Sequence, residues 1–173
     1  SEFGRLLAAS PASASVYAAT GSAVSIASGR LSYALALHGP CASYDTACSA
    51  SLVANHSSSR ALQRGECKYA LSAGVNMMFS QDAMVSNAIA GFTSVAGRSH
   101  TFDLRADGYA RAEACGAVAL RRGRADSTMY RSPLALGSLV RQDGRSASLT
   151  APNGSAQRFL LLAALGRASR PID

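Results

Sequence analysis

The cysteine at position 48 is set in the run Tyr44-Asp45-Thr46-Ala47-Cys48-Ser49-Ala50-Ser51-Leu52. Residues 41–46 read as a short strand, and the small residues after Cys48 as the first turn of a helix. A thiol placed there meets unpaired backbone N–H groups and the positive helix end, both of which stabilise thiolate. Thiolate is the nucleophile, so this placement activates a cysteine without a metal. Ala47, Ser49 and Ala50 crowd the sulfur little and leave room for a large acyl group. The same N–H groups can donate to an acyl oxygen. The plainer reading is a packed core cysteine, because Cys is among the most often buried residues. Position alone leaves both readings open for Cys48. For Cys41, Cys67 and Cys115 packing is the expectation, since nothing near them suggests activation.

A thiol nucleophile usually works with a histidine. The candidates are His38, His56 and His100. His56 lies on the same predicted helix as Cys48, about 12 Å further along its axis, too far for a direct partner. His38 ends the preceding helix and His100 sits in a long loop. Spacing ties neither to the thiol, so a cysteine-protease arrangement is thinly supported.

The elements that would position these groups follow from periodicity and punctuation. Val16 to Ala19 is a short apolar stretch ended by Thr20-Gly21. Ser22 is expected to cap a helix through Ile26, Leu31 and Leu35, stopped by Gly39-Pro40. A second helix is expected from Ser49 to about Gln63, ended by Gly65 and buried on several sides, since it carries so little charge. Residues 69–75 read as a buried strand, and the stretch after Ser80 as helix or loop. Residues 91–108 read as a long loop, the kind that tends to be functional. Residues 115–120 and 134–140 are apolar, β-like runs. Pro152-Asn153 opens a last helix through Phe159, Leu162 and Leu165, with arginines at its end, where the dipole favours them. Alternating strands and helices argue for a layered α/β fold.

Composition narrows the function classes. The 173 residues fit one domain, and 48% hydrophobic content suffices for a core. A net charge of +7, mostly arginine, suits an acidic partner as well as a merely solvated face. No aromatics interleave with Arg121, Arg122 and Arg124, so nucleic acid is not an expected partner. The cysteine spacings hold no metal motif, and no run is long enough to span a membrane. An intracellular, reducing setting is the expectation, with cytoplasm and plastid left open.

Asp45-Thr46-Ala47-Cys48-Ser49-Ala50-Ser51-Leu52-Val53-Ala54 resembles the nucleophile motif of β-ketoacyl synthases of the polyketide-synthase type. Further matches stand in the family's order: Ser28-Gly29-Arg30-Leu31-Ser32-Tyr33, then Ala73-Gly74-Val75-Asn76-Met77-Met78. Next come Thr101-Phe102-Asp103, Arg105-Ala106-Asp107-Gly108-Tyr109-Ala110-Arg111, Gln142-Asp143-Gly144-Arg145-Ser146 and Leu149-Thr150-Ala151-Pro152-Asn153-Gly154. The resemblance covers nearly the whole chain. It implies a thiolase-like, αβαβα layered fold, with residues 1–173 a partial domain from mainly its N-terminal half. It implies a condensing enzyme, with Cys48 as the acyl-accepting nucleophile. Acyl groups would arrive as phosphopantetheine thioesters on an acyl carrier protein, with no tightly bound cofactor and a homodimer in the complete protein. The reaction implied is decarboxylative condensation of a carrier-bound malonyl unit with the acyl group, in polyketide or fatty-acid biosynthesis. The family's two catalytic histidines belong to motifs that do not occur in this sequence, so His38, His56 and His100 are not mapped onto them and the 173 residues alone are expected to be inactive. The alternatives are a non-elongating acyl acceptor and a basic module that binds a carrier protein.

Some positions depart from the family pattern. Ala112-Glu113-Ala114-Cys115-Gly116 stands where glycines usually flank the glutamate. Arg141 replaces a common asparagine, and Asn55 an apolar residue. Asp107, Arg111 and Glu113 are expected to form an ion-pair network, Gly108 and Gly154 to serve turns, and Phe92 and Met78 to be plain core, with lining of an acyl pocket as the alternative.

Overall fold

The structure is a computed structural model and describes residues 2–123 and 133–168. Its helices are α1 (Glu2–Ala8), α2 (Ala18–Ser22), α3 (Val24–Ala34), α4 (Ala50–Arg64), α5 (Gln81–Ile89) and α6 (Gly154–Ala168). Strands β1 (Tyr69–Asn76) and β2 (Ala114–Arg121) pair in a two-stranded sheet. The Asn76 side-chain amide donates to the Ala112 carbonyl at 2.6 Å, which brings the end of β1 to the residues leading into β2. The chain divides into two compact units. One holds Ser1–Asp45 and Ala73–Ala117, and the other Thr46–Ser72 and Val118–Asp173.

In the first unit the entry to α3 differs from expectation. Ser22 ends α2 and bonds back to the Ala18 carbonyl, while Ala23 precedes α3 without a side-chain cap. Thr20-Gly21 lies inside α2 and does not end it. Helix α3 also stops before Gly39-Pro40. Ala36 takes φ 50° and lets the Leu37 N–H reach the Ser32 carbonyl at 2.8 Å, the closure that glycine usually provides. Residues 41–46 are not a strand. Their polar groups turn to α3 instead: Ser43 Oγ accepts from the Ser28 N–H and lies 3.0 Å from Ser28 Oγ.

Helix α5 settles the stretch after Ser80, whose hydroxyl accepts from the Asp82 N–H as an N-cap. Residues 91–108 hold no helix or strand, as expected for a long loop, but the loop closes on itself. Tyr109 N–H donates to the Phe92 carbonyl, and Ser94 N–H to the Tyr109 carbonyl, each at 3.0 Å. Gly108 makes that closure possible. Its φ is 142°, and a Cβ there would lie 2.5 Å from the Ser94 nitrogen and the Thr93 carbonyl carbon. It is a close-approach glycine more than a turn glycine.

The expected network of Asp107, Arg111 and Glu113 does not form. Asp107 is held by Ser94 and by the Val95 N–H, and Glu113 accepts from the Met78 N–H at 2.7 Å. Arg111 pairs with Glu2 at 3.4 Å, their side chains 11% and 14% exposed. The Glu2 carboxylate also accepts from the backbone N–H groups of Phe79 and Ser80, at 2.7 and 2.9 Å. Phe3 packs its ring against Phe79, with centroids 6.1 Å apart. Two residues near the start of α1 thus fasten it to the segment between β1 and α5.

In the second unit α4 runs as expected to Gly65, which adopts φ 75° and lets the Glu66 N–H bond the Ala61 carbonyl. Asn153 opens α6. Its Oδ1 accepts from the Ala156 N–H, and its amide donates to the Asp143 and Arg145 carbonyls. Gly154 is simply the first helical residue, and not a turn glycine. Arg141 stacks on Phe159 at 4.4 Å, so the residue in place of asparagine acquires an aromatic partner on α6. Residues 134–140 form no strand. Gly137 instead packs its backbone on α6, where a Cβ would lie 2.8 Å from the Ala164 carbonyl oxygen. Arg124 lies outside the described residues, as does everything after Ala168.

Burial is far lower than the composition suggests. Among the described residues Leu62 is the one buried large apolar side chain. Strand β1 is therefore not the buried strand expected, and α4 is mostly half-buried. Phe92 is 49% exposed and Met78 half-buried, so neither is core. The physical reason is that periodicity marks which faces are apolar but does not say whether this chain itself covers them.

Two outcomes test these local anchors. Gly108→Ala should cost about 3 kcal/mol, through the backbone clash and the disfavoured φ. Urea unfolding checks it as a lower midpoint at unchanged slope. The second concerns Glu2, whose carboxyl is held below the usual glutamate range by the Ser80 and Phe79 N–H groups and by Arg111. A lowered folded pKa gives stability that is present above the unfolded value and is lost as pH falls through the folded one. Glu2→Gln should therefore melt lower than the parent at neutral pH. That difference should close as pH drops below the ordinary glutamate range, in melting curves taken across pH.

Candidate active site

Cys48 sits at the centre of a single 3₁₀ turn, Ala47–Ser49, directly ahead of α4. The expected placement at a helix start holds, with a tighter turn than an α-helical one. The turn is sharp because Ala47 has φ 51°, a left-handed conformation unusual for a residue with a Cβ. Ser49 secures it. Its hydroxyl lies 2.9 Å from both the Thr46 carbonyl and the Thr46 Oγ1, and its N–H donates to the same carbonyl at 3.2 Å. Cys48 is left exposed at the crest. Residues 47–50 are small, so nothing larger than a methyl or hydroxyl flanks the sulfur in sequence. Geometry thus provides access and a place at the start of a fifteen-residue helix, where the Ser49 and Ala50 N–H groups are already bonded to the Thr46 and Ala47 carbonyls.

The histidines do not join this thiol in the second unit. His56 Nδ1 lies 2.8 Å from Ser138 Oγ, so its ring is engaged further along α4. His38 and His100 belong to the first unit, where His38 is exposed and His100 lies close enough to help lower the Asp107 pKa.

The other cysteines depart from the packing expectation. Cys41 and Cys115 are exposed and Cys67 is half-buried. The chain holds too little core to enclose them. Cys41 has surroundings that its place in the sequence did not suggest. The hydroxyls of Ser28 and Ser32 hold its thiol below the usual cysteine value, with Ser32 Oγ 3.4 Å from Sγ. Ser28 and Ser32 stand four apart on α3, so their shared face was the available signal.

The two alanines that stand where the family has glycine are benign. Neither Ala112 nor Ala114 has a positive φ, so a Cβ costs little there. Residues 3–125 match the family model described as the beta-ketoacyl synthase, N-terminal domain. The chain belongs to the β-ketoacyl synthase family.

Its relatives within that family are polyketide synthases. It is 42% identical over 166 residues to a phenolphthiocerol/phthiocerol polyketide synthase of Mycobacterium tuberculosis, covering 95% of this chain and 11% of the relative. It is 43% identical over 154 residues to an erythronolide synthase of Saccharopolyspora erythraea, covering 88% and 5%. Among solved structures it superposes on the oxazolomycin ketosynthase domain from Streptomyces albus with a TM-score of 0.78 and 34% identity, covering 85% of this chain and 27% of that one. The ketosynthase from module 6 of the bacillaene synthase of Bacillus subtilis gives 0.77 and 34%, covering 84% and 26%. The ketosynthase fold is thiolase-like, and this chain carries part of it. Among the described residues no helix is long and apolar enough to cross a membrane.

The left-handed Ala47 is the feature most open to test. Ala47→Gly should raise stability slightly, read as a higher urea midpoint. Ala47→Val should cost about 1–2 kcal/mol, because a β-branched residue tolerates positive φ worst. It should also change the access to the Cys48 thiol, measured as a slower rate of alkylation by iodoacetamide in intact-mass spectra.

Proposed function

We propose that Cys48 is the acyl-accepting nucleophile of a polyketide-synthase ketosynthase, and that the 173 residues are part of that condensing domain. The observation that carries this is the exposed thiol on the Ala47–Ser49 turn, at the start of α4, in a chain of this family. The acyl group arrives as a thioester on the phosphopantetheine arm of an acyl carrier protein. The Cys48 thiolate attacks the thioester carbonyl, the bond to the carrier's sulfur breaks, and that sulfur leaves as a thiolate, which takes up through solvent the proton that the Cys48 thiol gave up. A malonyl-type unit on a carrier then loses CO₂. The enolate carbon bonds to the acyl carbonyl carbon, and Cys48 leaves as thiolate, giving a 3-oxoacyl thioester. No tightly bound cofactor is required, because the carboxylate leaving as CO₂ supplies the electron pair for the new bond.

Two further features support the reading. The net charge of +7 suits an acidic carrier protein. The large exposed apolar side chains, among them Tyr33, Leu104 and Leu149, suit faces covered by the remainder of a larger domain and by a dimer partner.

Incubation with an acyl-loaded carrier protein, followed by intact-mass and peptide mapping, tests the assignment. One acyl adduct on Cys48 is expected, abolished in Cys48→Ala and retained in Cys41→Ala, Cys67→Ala and Cys115→Ala. An adduct that survives Cys48→Ala, or that maps to Cys41, would overturn it. With the complete protein and a malonyl-loaded carrier, CO₂ release should accompany condensation. Loading without CO₂ release would make it a non-elongating acyl acceptor.

A further inference from the structure

Three arginines of the second unit converge on one pair of adjoining cavities. The cavities have volumes of about 370 and 430 Å³ and share Arg60, Gln63 and Arg167 in their walls. Arg64 and His56 line the second as well. Arg60, Gln63 and Arg64 come from the last turns of α4, and Arg167 from the last turn of α6. Segment 136–140 adds Leu136, Ser138, Leu139 and Val140 to the lining, and both clefts remain open to solvent. Among the described residues no acidic side chain lines either cavity, and no carboxylate lies within 4.0 Å of Arg60 or Arg167. Arg64 reaches only the exposed Glu66, at 3.8 Å.

Helix dipoles favour cations in the last turn, which accounts for Arg64 and Arg167 taken singly. They do not account for Arg60, a turn earlier, or for the three meeting at one cavity. Each helix end contributes only about half a negative charge, against three full positive ones. The excess is cationic.

The cavity is also built. Arg60 Nη1 donates to Gln63 Oε1 at 2.7 Å, which holds its guanidinium in place. His56 Nδ1 and Ser138 Oγ, 2.8 Å apart, tie α4 to segment 136–140. Gly137 brings that segment onto α6, where a Cβ would meet the Ala164 oxygen at 2.8 Å and the Ala168 nitrogen at 3.1 Å. The absence of one side chain at Gly137 therefore sets the distance between Ser138 and the Arg167 end of α6.

We infer that this cleft binds the phosphate monoester group of a small molecule. Planar guanidinium forks match phosphate oxygens, and three of them suit a doubly charged anion. The volumes lie in the range of small-ligand pockets, and Leu136, Leu139 and Val140 offer an apolar wall for the body of the ester. The site lies toward the far end of α4 from Cys48 and does not depend on the ketosynthase reading.

Titration of the complete protein with phenyl phosphate, followed by calorimetry in low-salt, phosphate-free buffer, tests it. Saturable one-site binding is expected, falling with added salt. Arg60→Gln and Arg167→Gln should each weaken it roughly tenfold, as loss of a charge-assisted hydrogen bond does. Gly137→Ala should weaken it without removing a charge, and Cys48→Ala should leave it unchanged. Each variant is compared at matched far-ultraviolet circular dichroism. Absence of saturable binding to the parent, or full affinity in both arginine variants, would overturn the proposal. Inorganic phosphate binding as tightly as phenyl phosphate would overturn the assignment to an ester.

Discussion

The turn at residues 46–49 is the constraint on which the candidate chemistry depends. A chain entering a helix from an extended segment must reverse its direction within a few residues. Here the reversal is concentrated at Ala47, whose left-handed φ of 51° costs roughly 1 kcal/mol or more for a residue with a Cβ. The cost is met locally by three contacts from Ser49 to Thr46. The consequence is geometric. The turn that delivers the chain to α4 carries Cys48 at its centre, and the thiol is exposed there. Strain, small flanking side chains and an exposed thiol are one arrangement seen from three sides.

With so little buried apolar surface, the described parts of each unit are organised by polar anchors and close backbone approaches. Glu2 joins α1 to the start of α5 through two backbone N–H groups and Arg111. Asn153 does the same for α6 and the 143–145 segment. Gly108 and Gly137 let backbone lie where any side chain would collide. Such contacts fix local geometry well, but each contributes only about 1 kcal/mol net, against tens from a normal core. The exposed apolar residues are therefore the larger unused contribution, and covering them is what would convert local order into stability.

What could be read in the sequence sorts along the same line. Features decided by a residue and its near neighbours were legible: the helix start after Cys48, the Gly65 stop, the Asn153 cap and the β2 run. The family motifs were legible too, because their order is a property of the chain alone. Features decided across longer separations were not. Segments 41–46 and 134–140 look β-like, yet one turns to the serines of α3 and the other is packed by Gly137 onto α6. Acidic and basic residues near 107–113 look like partners for one another, but Arg111 is claimed by Glu2, more than a hundred positions away. Ala36 ended α3 before the expected Gly39-Pro40, since a 6→1 bond to Ser32 was available first.

The departures from the family pattern become informative when each is given its physical environment. Alanine at 112 and 114 is tolerated because the backbone there does not need glycine. Arg141 is not a lost hydrogen bond but a gained stack on Phe159, which links the approach to α6 with the helix itself. Both exchanges spare the Ala47–Ser49 turn. Helix α4 carries one end of each feature that matters chemically: the thiol before its first turn, and Arg60 and Arg64 in its last turns. Helix α4 is fifteen residues long, so the exposed thiol and the cationic cleft stand near its opposite ends. Arg60 and Arg64 lie toward the negative pole of the α4 dipole and the Ala47–Ser49 turn at its positive pole, so the two ends differ in the charge they favour through the backbone itself.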